Sequence, residues 1–111
     1  MSAWKFRGRG RVAPRKCGEM NKTEEKHAWD LEVRRRAGEI AWYKYEGITF
    51  KLADDTRYTP DFAVMLANGE IEFHEVKGRF FRDDAKVKLS VASAMYPFRF
   101  LLIQGGLEKE L

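Results

Sequence analysis

The sequence predicts an α/β domain with helices packed on a mixed sheet, in the order α-β-β-β-α-β. Three observations predict it. A stretch with helical spacing follows Asn21, two runs of strand-forming residues flank Asn68-Gly69, and a second helical stretch leads into the apolar FRFLLI of residues 98–103. The low polarity of that last run suits an interior strand, parallel to the one before the crossover helix.

Residues 1–20 include Gly8, Gly10, Pro14 and Gly18, show no sustained periodicity, and read as an arm. Asn21 is an N-cap with Glu24 at N3, Ala28 and Leu31 follow at helical spacing, and Gly38 supplies a stop, so a first helix is expected over about residues 22–37. Its Arg34-Arg35-Arg36 run reads as a solvated face suited to the negative end of the helix dipole. Residues 41–46 and 48–52, split by Gly47, read as two strands or one bent one, and Asp54-Asp55-Thr56 as a turn. Hairpin strands are expected over about residues 58–66 and 71–77. Asp83 or Asp84 caps a second helix over residues 85–95, which presents Leu89, Val91, Ala92 and Met95 for packing and ends before Pro97. The expected organisation is an arm over 1–20, a domain over 21–104 and a polar tail over 105–111.

With 111 residues there is room for one domain, and 44% hydrophobic with 14% aromatic residues is enough for a core. No apolar run approaches the ~20 residues of a membrane span, and the basic start lacks the apolar segment of a signal peptide, so a soluble, intracellular protein with no membrane partner is expected. Cys17 stands alone, with neither a disulfide partner nor a zinc-ligand spacing. The net charge of +4 is unevenly spread. Seven of the 21 basic side chains but one of the 17 acidic ones fall in residues 1–22. Arg7, Arg9, Arg11, Arg15 and Lys16, interleaved with Trp4 and Phe6, suit phosphate contact and base stacking. A solubilising terminus is the plain alternative.

Chemistry concentrates in residues 58–78, YTPDFAVMLANGEIEFHEVKG. Asp61 and Glu75 offer hard oxygen ligands to Mg²⁺, and Lys77 offers an ammonium to an attacking water or to the charge developing on a phosphate. Glu75 and Lys77 are two apart on a strand and leave the same face. His74 alternates to the other face and is not assigned catalysis.

Pro60-Asp61 followed after a hairpin by Glu75-Val76-Lys77 resembles the signature of the PD-(D/E)xK nuclease superfamily. With Asn21-Lys22-Thr23-Glu24 on a first helix and a lysine-bearing helix afterwards, the chain is similar to small phage-encoded nucleases of that superfamily, akin to phage Holliday-junction resolvases and the transposon-end nuclease subunit. The likeness covers roughly residues 21–103. It implies a restriction-endonuclease-like core with a four- to five-stranded mixed sheet, and a metal-dependent DNA endonuclease that leaves a 5′-phosphate. It implies Mg²⁺, with Mn²⁺ substituting, held by Asp61, Glu75 and the backbone carbonyl of Val76. Lys77 then assists the water, and Glu24 completes the carboxylate set. Glu24 is equally placed for a capping box with Asn21, and Glu25 is the neighbour able to replace it. Arg79, Arg82, Lys86 and Lys88 are candidates for phosphate clamping, against the plain alternative of solvated side chains. Branched or recombining DNA in the cytoplasm of a phage-infected or lysogenic cell is the context the resemblance suggests, with a plain nickase of duplex or single-stranded DNA second, and the two symmetric cuts that a junction needs call for a homodimer. A DNA-binding accessory protein without chemistry is the alternative from another class.

One register decides whether the carboxylates can meet. A two-residue loop at Asn68-Gly69 would oppose Asp61 to Val76 and send its carboxylate to the other face from Glu75. A three-residue loop over 67–69, with Gly69 left-handed in a bulge, would oppose Asp61 to Glu75. The hydrophobic pattern favours the first, because it stacks Phe62, Val64 and Leu66 with Ile71 and Phe73. The chemistry favours the second, and the second is expected.

Overall fold

The computed structural model describes residues 19–78 and 83–111. Helix α1, Lys22–Arg36, starts at the expected cap: the Glu24 N–H donates to Asn21 Oδ1 at 2.8 Å and the Asn21 N–H donates to Glu24 Oε1 at 2.9 Å. Both arms of a capping box are therefore present. It closes on Ala37, and Gly38 then takes a φ of +84°, which glycine adopts at no steric cost. Strands β1 (Ile40–Tyr45), β2 (Phe50–Ala53), β3 (Thr56–Tyr58), β4 (Phe62–Leu66) and β5 (Ile71–Val76) follow. Helix α2 (Asp83–Met95), β6 (Arg99–Gln104) and β7 (Leu107–Glu110) complete the chain.

The main sheet has five strands in the order β1-β4-β5-β6-β7, and β2-β3 form a separate two-stranded hairpin. It is a mixed sheet in an α/β arrangement. β5 and β6 run parallel through the α2 crossover, as the apolar FRFLLI stretch predicts, while the other neighbours are antiparallel. The face toward α1 buries Ala28, Leu31, Ile40, Tyr45, Phe62 and Val64. The face toward α2 buries Phe50, Tyr58, Phe73, Leu89, Ala92 and Phe100, with the Phe73 and Phe100 rings stacked at 5.4 Å.

Several expectations need correction. The predicted strand over 58–66 is two, because Thr59-Pro60-Asp61 interrupts it: proline has no N–H for a ladder, and the earlier part pairs with β2 instead. The order is thus longer than α-β-β-β-α-β. Residues 105–111, expected as a polar tail, hold a strand. Gly105 and Gly106, at φ +57° and +83°, make the two-residue turn whose twist suits a hairpin, and β7 pairs along β6 with Gln104 opposite Leu107. All four β7 residues are exposed, which is why the stretch reads as polar. In α2, Leu89 and Ala92 pack as expected, but Val91 and Met95 are exposed. That helix starts at Asp83, so its cap lies outside the described residues.

The β4-β5 register is the three-residue one. Phe62 opposes His74 and Met65 opposes Ile71. The Gly69 N–H closes a turn on the Leu66 carbonyl at 2.9 Å with Gly69 at φ +93°, and the Leu66 N–H reaches the Glu70 carbonyl at 2.8 Å. Asp61, one residue before β4, is thereby carried toward Glu75.

Candidate functional site

Asp61, Glu75 and Glu24 converge at the end of the sheet where β5 stops. Pro60 leads Asp61 out of the turn, the Asp61 carbonyl accepts from the Glu46 N–H at 2.7 Å, and Asp61 Oδ2 accepts from the Val76 N–H at 2.8 Å. Glu75 arrives from β5 on the α2 face, where Oε1 accepts from the Tyr58 hydroxyl at 2.5 Å. Glu24 arrives from α1 on the opposite face and is 6% exposed. Its Oε1 takes the Asn21 N–H and, at 3.1 Å, the Tyr45 hydroxyl, while its carboxylate lies within hydrogen-bonding reach of Asp61. The capping box is formed, and the same Glu24 carboxylate also reaches the Asp61 side chain.

Asp61 and Glu75 are shifted in the same direction. Burial, followed by the charges of Glu75 and Glu24, holds the Asp61 carboxyl far above the usual carboxylate range. Burial likewise raises Glu75, the Tyr58 hydroxyl opposes that rise, and Glu24 and Glu46 add to it. The Tyr58 and Tyr45 hydroxyls are pushed up in turn by burial beside these carboxylates, so each stays a proton donor. Carboxylates gathered out of water in this way favour either shared protons or a cation. Hard oxygen donors of this kind fit Mg²⁺ or Mn²⁺ by chemistry. Among the described residues, however, no three His, Cys, Asp or Glu side chains stand at metal-binding spacing, so the set is gathered but not closed.

Lys77 follows β5 directly, half-buried, with its N–H on the Ile103 carbonyl at 2.7 Å. That bond continues the β5-β6 ladder by one residue, and alternation carried one step past β5 would put Lys77 on the side of Glu75. Lys86 is exposed and Lys88 half-buried on α2. Arg7, Arg9, Arg11, Arg15, Lys16, Arg79 and Arg82 lie outside the described residues. Glu25 is half-buried in the first turn of α1, while Glu24 holds the buried position. The arginine run is spent locally: Arg35 and Arg36 pair with Glu32, and Arg34 with Glu39.

Three participants escaped the sequence reading. Glu46 sits beside the cluster at a φ of +49°, uncommon for a residue with a side chain. Its position just before Gly47 at a strand end was the available signal. Tyr45 and Tyr58 supply the hydroxyls, and nothing local in the sequence marks them out.

His74 does face away from Glu75, as alternation requires, but it joins a second buried polar cluster. His27 Nε2 and His74 Nδ1 are 2.8 Å apart, His74 Nε2 and Glu72 Oε1 2.8 Å, and Arg99 Nη1 donates to Glu72 Oε2 at 2.8 Å. His27, His74 and Glu72 are 7%, 0% and 4% exposed.

Among the described residues no helix is long and apolar enough to cross a membrane. Comparison with family models, with curated proteins and with solved structures finds no match to this chain.

Proposed function

We propose that this chain is a metal-dependent DNA endonuclease on a restriction-endonuclease-like core of the PD-(D/E)xK kind, using Mg²⁺ with Mn²⁺ as a substitute. The observation that supports it is the hairpin register. A three-residue loop, against the hydrophobic pattern of the strands, brings Asp61 to Glu75 at a point that Glu24 reaches from α1.

In this reading Asp61 and Glu75 hold the cation, Glu24 completes the carboxylate set, and the Val76 carbonyl is the further ligand that the sequence resemblance implies. When bound, the cation supplies Lewis-acid stabilisation of the charge that builds on the phosphoryl oxygens. Lys77 orients the attacking water and steadies the same charge from the protein side. Tyr58 and Val76 N–H fix the carboxylates so that little reorganisation accompanies the reaction. In-line attack leaves a 5′-phosphate. Branched or recombining DNA is the substrate class, and a homodimer supplies the two cuts a junction needs. Phosphate contacts fall to the arm residues and to Arg79, Arg82, Lys86 and Lys88, and the setting is the cytoplasm of a phage-infected or lysogenic cell.

One observation favours a second reading, a DNA-binding accessory protein without chemistry: the carboxylates are not at closed metal-binding spacing. Cleavage of matched linear, nicked, flapped and four-way DNA in Mg²⁺ or Mn²⁺ separates the two. The nuclease cuts, and Lys77→Ala slows cutting by about 10² or more. If wild type and Lys77→Ala behave alike, the enzyme reading fails.

A further inference from the structure

The β2-β3 hairpin leads straight into the carboxylate cluster. Phe50 and Tyr58 oppose each other and face the core, and the Tyr58 hydroxyl donates to Glu75. Alternation turns their neighbours outward, so Lys51 and Arg57, which are also direct partners, stand side by side on the solvent face. On the other side of Phe50 and Tyr58, toward Asp61, the hydroxyl oxygens of Thr49 and Thr59 meet at 2.7 Å. That contact carries the pairing one step further, and alternation carried the same step sets both hydroxyls on the outer face. A strip of threonine hydroxyls and cations thus runs outward from Pro60-Asp61.

Lys51 and Arg57 oppose each other at a cost to the free protein. Like charges directly opposite across an antiparallel ladder, with Cβ atoms about 5 Å apart, weaken the sheet. Lys51 meets Asp54 at 3.6 Å, but that carboxylate is 98% exposed on the turn, and water screens the pair. Arg57 carries no ion pair among the described residues. The arginines that end α1 differ, since each is spent on Glu32 or Glu39. The hairpin holds its cations on a fixed frame, because the Lys51 carbonyl accepts from the Tyr96 hydroxyl at the end of α2. Two cations held abreast with no carboxylate between them are placed to share an anion.

We propose that the outer face of the β2-β3 hairpin holds the backbone of the DNA strand that enters the cutting site, one phosphate between Lys51 and Arg57 and the next against the Thr49 and Thr59 hydroxyls. Successive outward positions on a strand are about 6.7 Å apart, close to the step from one phosphate to the next along a DNA strand. Two hydroxyls bonded to each other use one proton, so the second proton is left to donate to a phosphate oxygen. Lysine, arginine and threonine make contacts of this kind, which fix register and carry no base information. Asp54 and Asp55 bound the strip at the turn, where a further phosphate would meet carboxylates. The inference rests on the nuclease reading for its choice of DNA, and it adds a positioning surface to that site.

The test is binding of a four-way DNA of fixed sequence by fluorescence anisotropy over a range of salt, without divalent metal so that cleavage plays no part. Lys51→Gln/Arg57→Gln should flatten the log-log salt slope by about 0.9, the share of one duplex phosphate. Lys51→Arg/Arg57→Lys, which keeps both charges, should keep the wild-type slope. Relief of the opposed charges should leave the unfolding temperature of Arg57→Gln unchanged or higher. No binding by wild type, or an unchanged slope in the glutamine double variant, overturns the proposal. A lower unfolding temperature in Arg57→Gln also overturns it, because the pair would then serve the scaffold. A flattened slope in a chain that cuts no DNA keeps the strip and loses the nuclease, whereas cutting with an unchanged slope loses the strip alone.

Discussion

Two buried polar clusters lie within a few residues of each other in the sequence, and their charge balance is opposite. Glu72 and His74 face α1, where His27 and Arg99 complete a chain with anion, cation and neutral groups matched. Its carboxylate is held below the usual range by the His74 hydrogen bond first, with Arg99 adding its charge. Asp61 and Glu75, brought together around Val76, meet only hydroxyls, N–H groups and other carboxylates among the influences on them, and both are pushed up. Similar burial thus gives contrary results. A buried carboxylate lowered by its partners belongs to the scaffold, whereas buried carboxylates raised together, as Asp61 and Glu75 are, have the electrostatic character of a candidate functional site.

The sharpest way to break the comparison is the same substitution on both sides. Glu72→Gln should lower stability by about 3 kcal/mol, at the low end for a broken buried pair because Arg99 stays partly exposed. Glu75→Gln in metal-free protein should leave stability unchanged or raise it. Chemical denaturation of both variants measures this, and losses of equal size would erase the distinction. A smaller effect is expected from Tyr58→Phe, which removes the hydroxyl on Glu75 Oε1 while sparing the carboxylate. The metal concentration for half-maximal cleavage should rise about ten-fold with the rate at saturating metal nearly kept, as for a lost group that orients a ligand.

Smallest is the pH dependence, whose sign differs between the clusters. Asp61 and Glu75 hold protons more tightly folded than unfolded, so above about pH 4 the folded state binds more protons and stability falls as pH rises toward their raised values. His27 is pushed down from 6.5 to about 3, chiefly by burial, with His74 and Arg34 adding to it. Its unfolded imidazole takes a proton first, so stability falls as pH drops below about 6.5. Metal-free unfolding temperature should therefore peak at mildly acidic pH, and Asp61→Asn should extend the plateau upward by a few °C. An alkaline fall identical in wild type and variant would remove Asp61 as its cause.

Much of the frame was legible in the sequence, for local reasons. Asn21 with Glu24 marks the start of α1, Gly38 its end, and the apolar stretch before Gln104 an interior parallel strand. The register was legible only from chemistry, because alternation puts Phe62 and Val64 with Ile71 and Phe73. What opposes them is His74 and Glu72, which are tolerated in the interior because His27, 47 positions away, and Arg99, 27 positions away, satisfy them. No local pattern announces partners at that separation. The Tyr45 and Tyr58 hydroxyls were hidden for the same reason, and β7 was missed because exposed residues on an edge strand look like a tail.

The central claim is that the Glu24, Asp61 and Glu75 cluster is a cation site, and thermal unfolding at pH 8 with and without saturating Mg²⁺ tests it most directly. Ligand at about a hundred times its dissociation constant should stabilise wild type by about 2.7 kcal/mol. In a domain of this size that raises the unfolding temperature by about ten degrees or more, and Asp61→Asn should show almost none of the shift. Equal shifts in wild type and Asp61→Asn, or no shift in either, would contradict it.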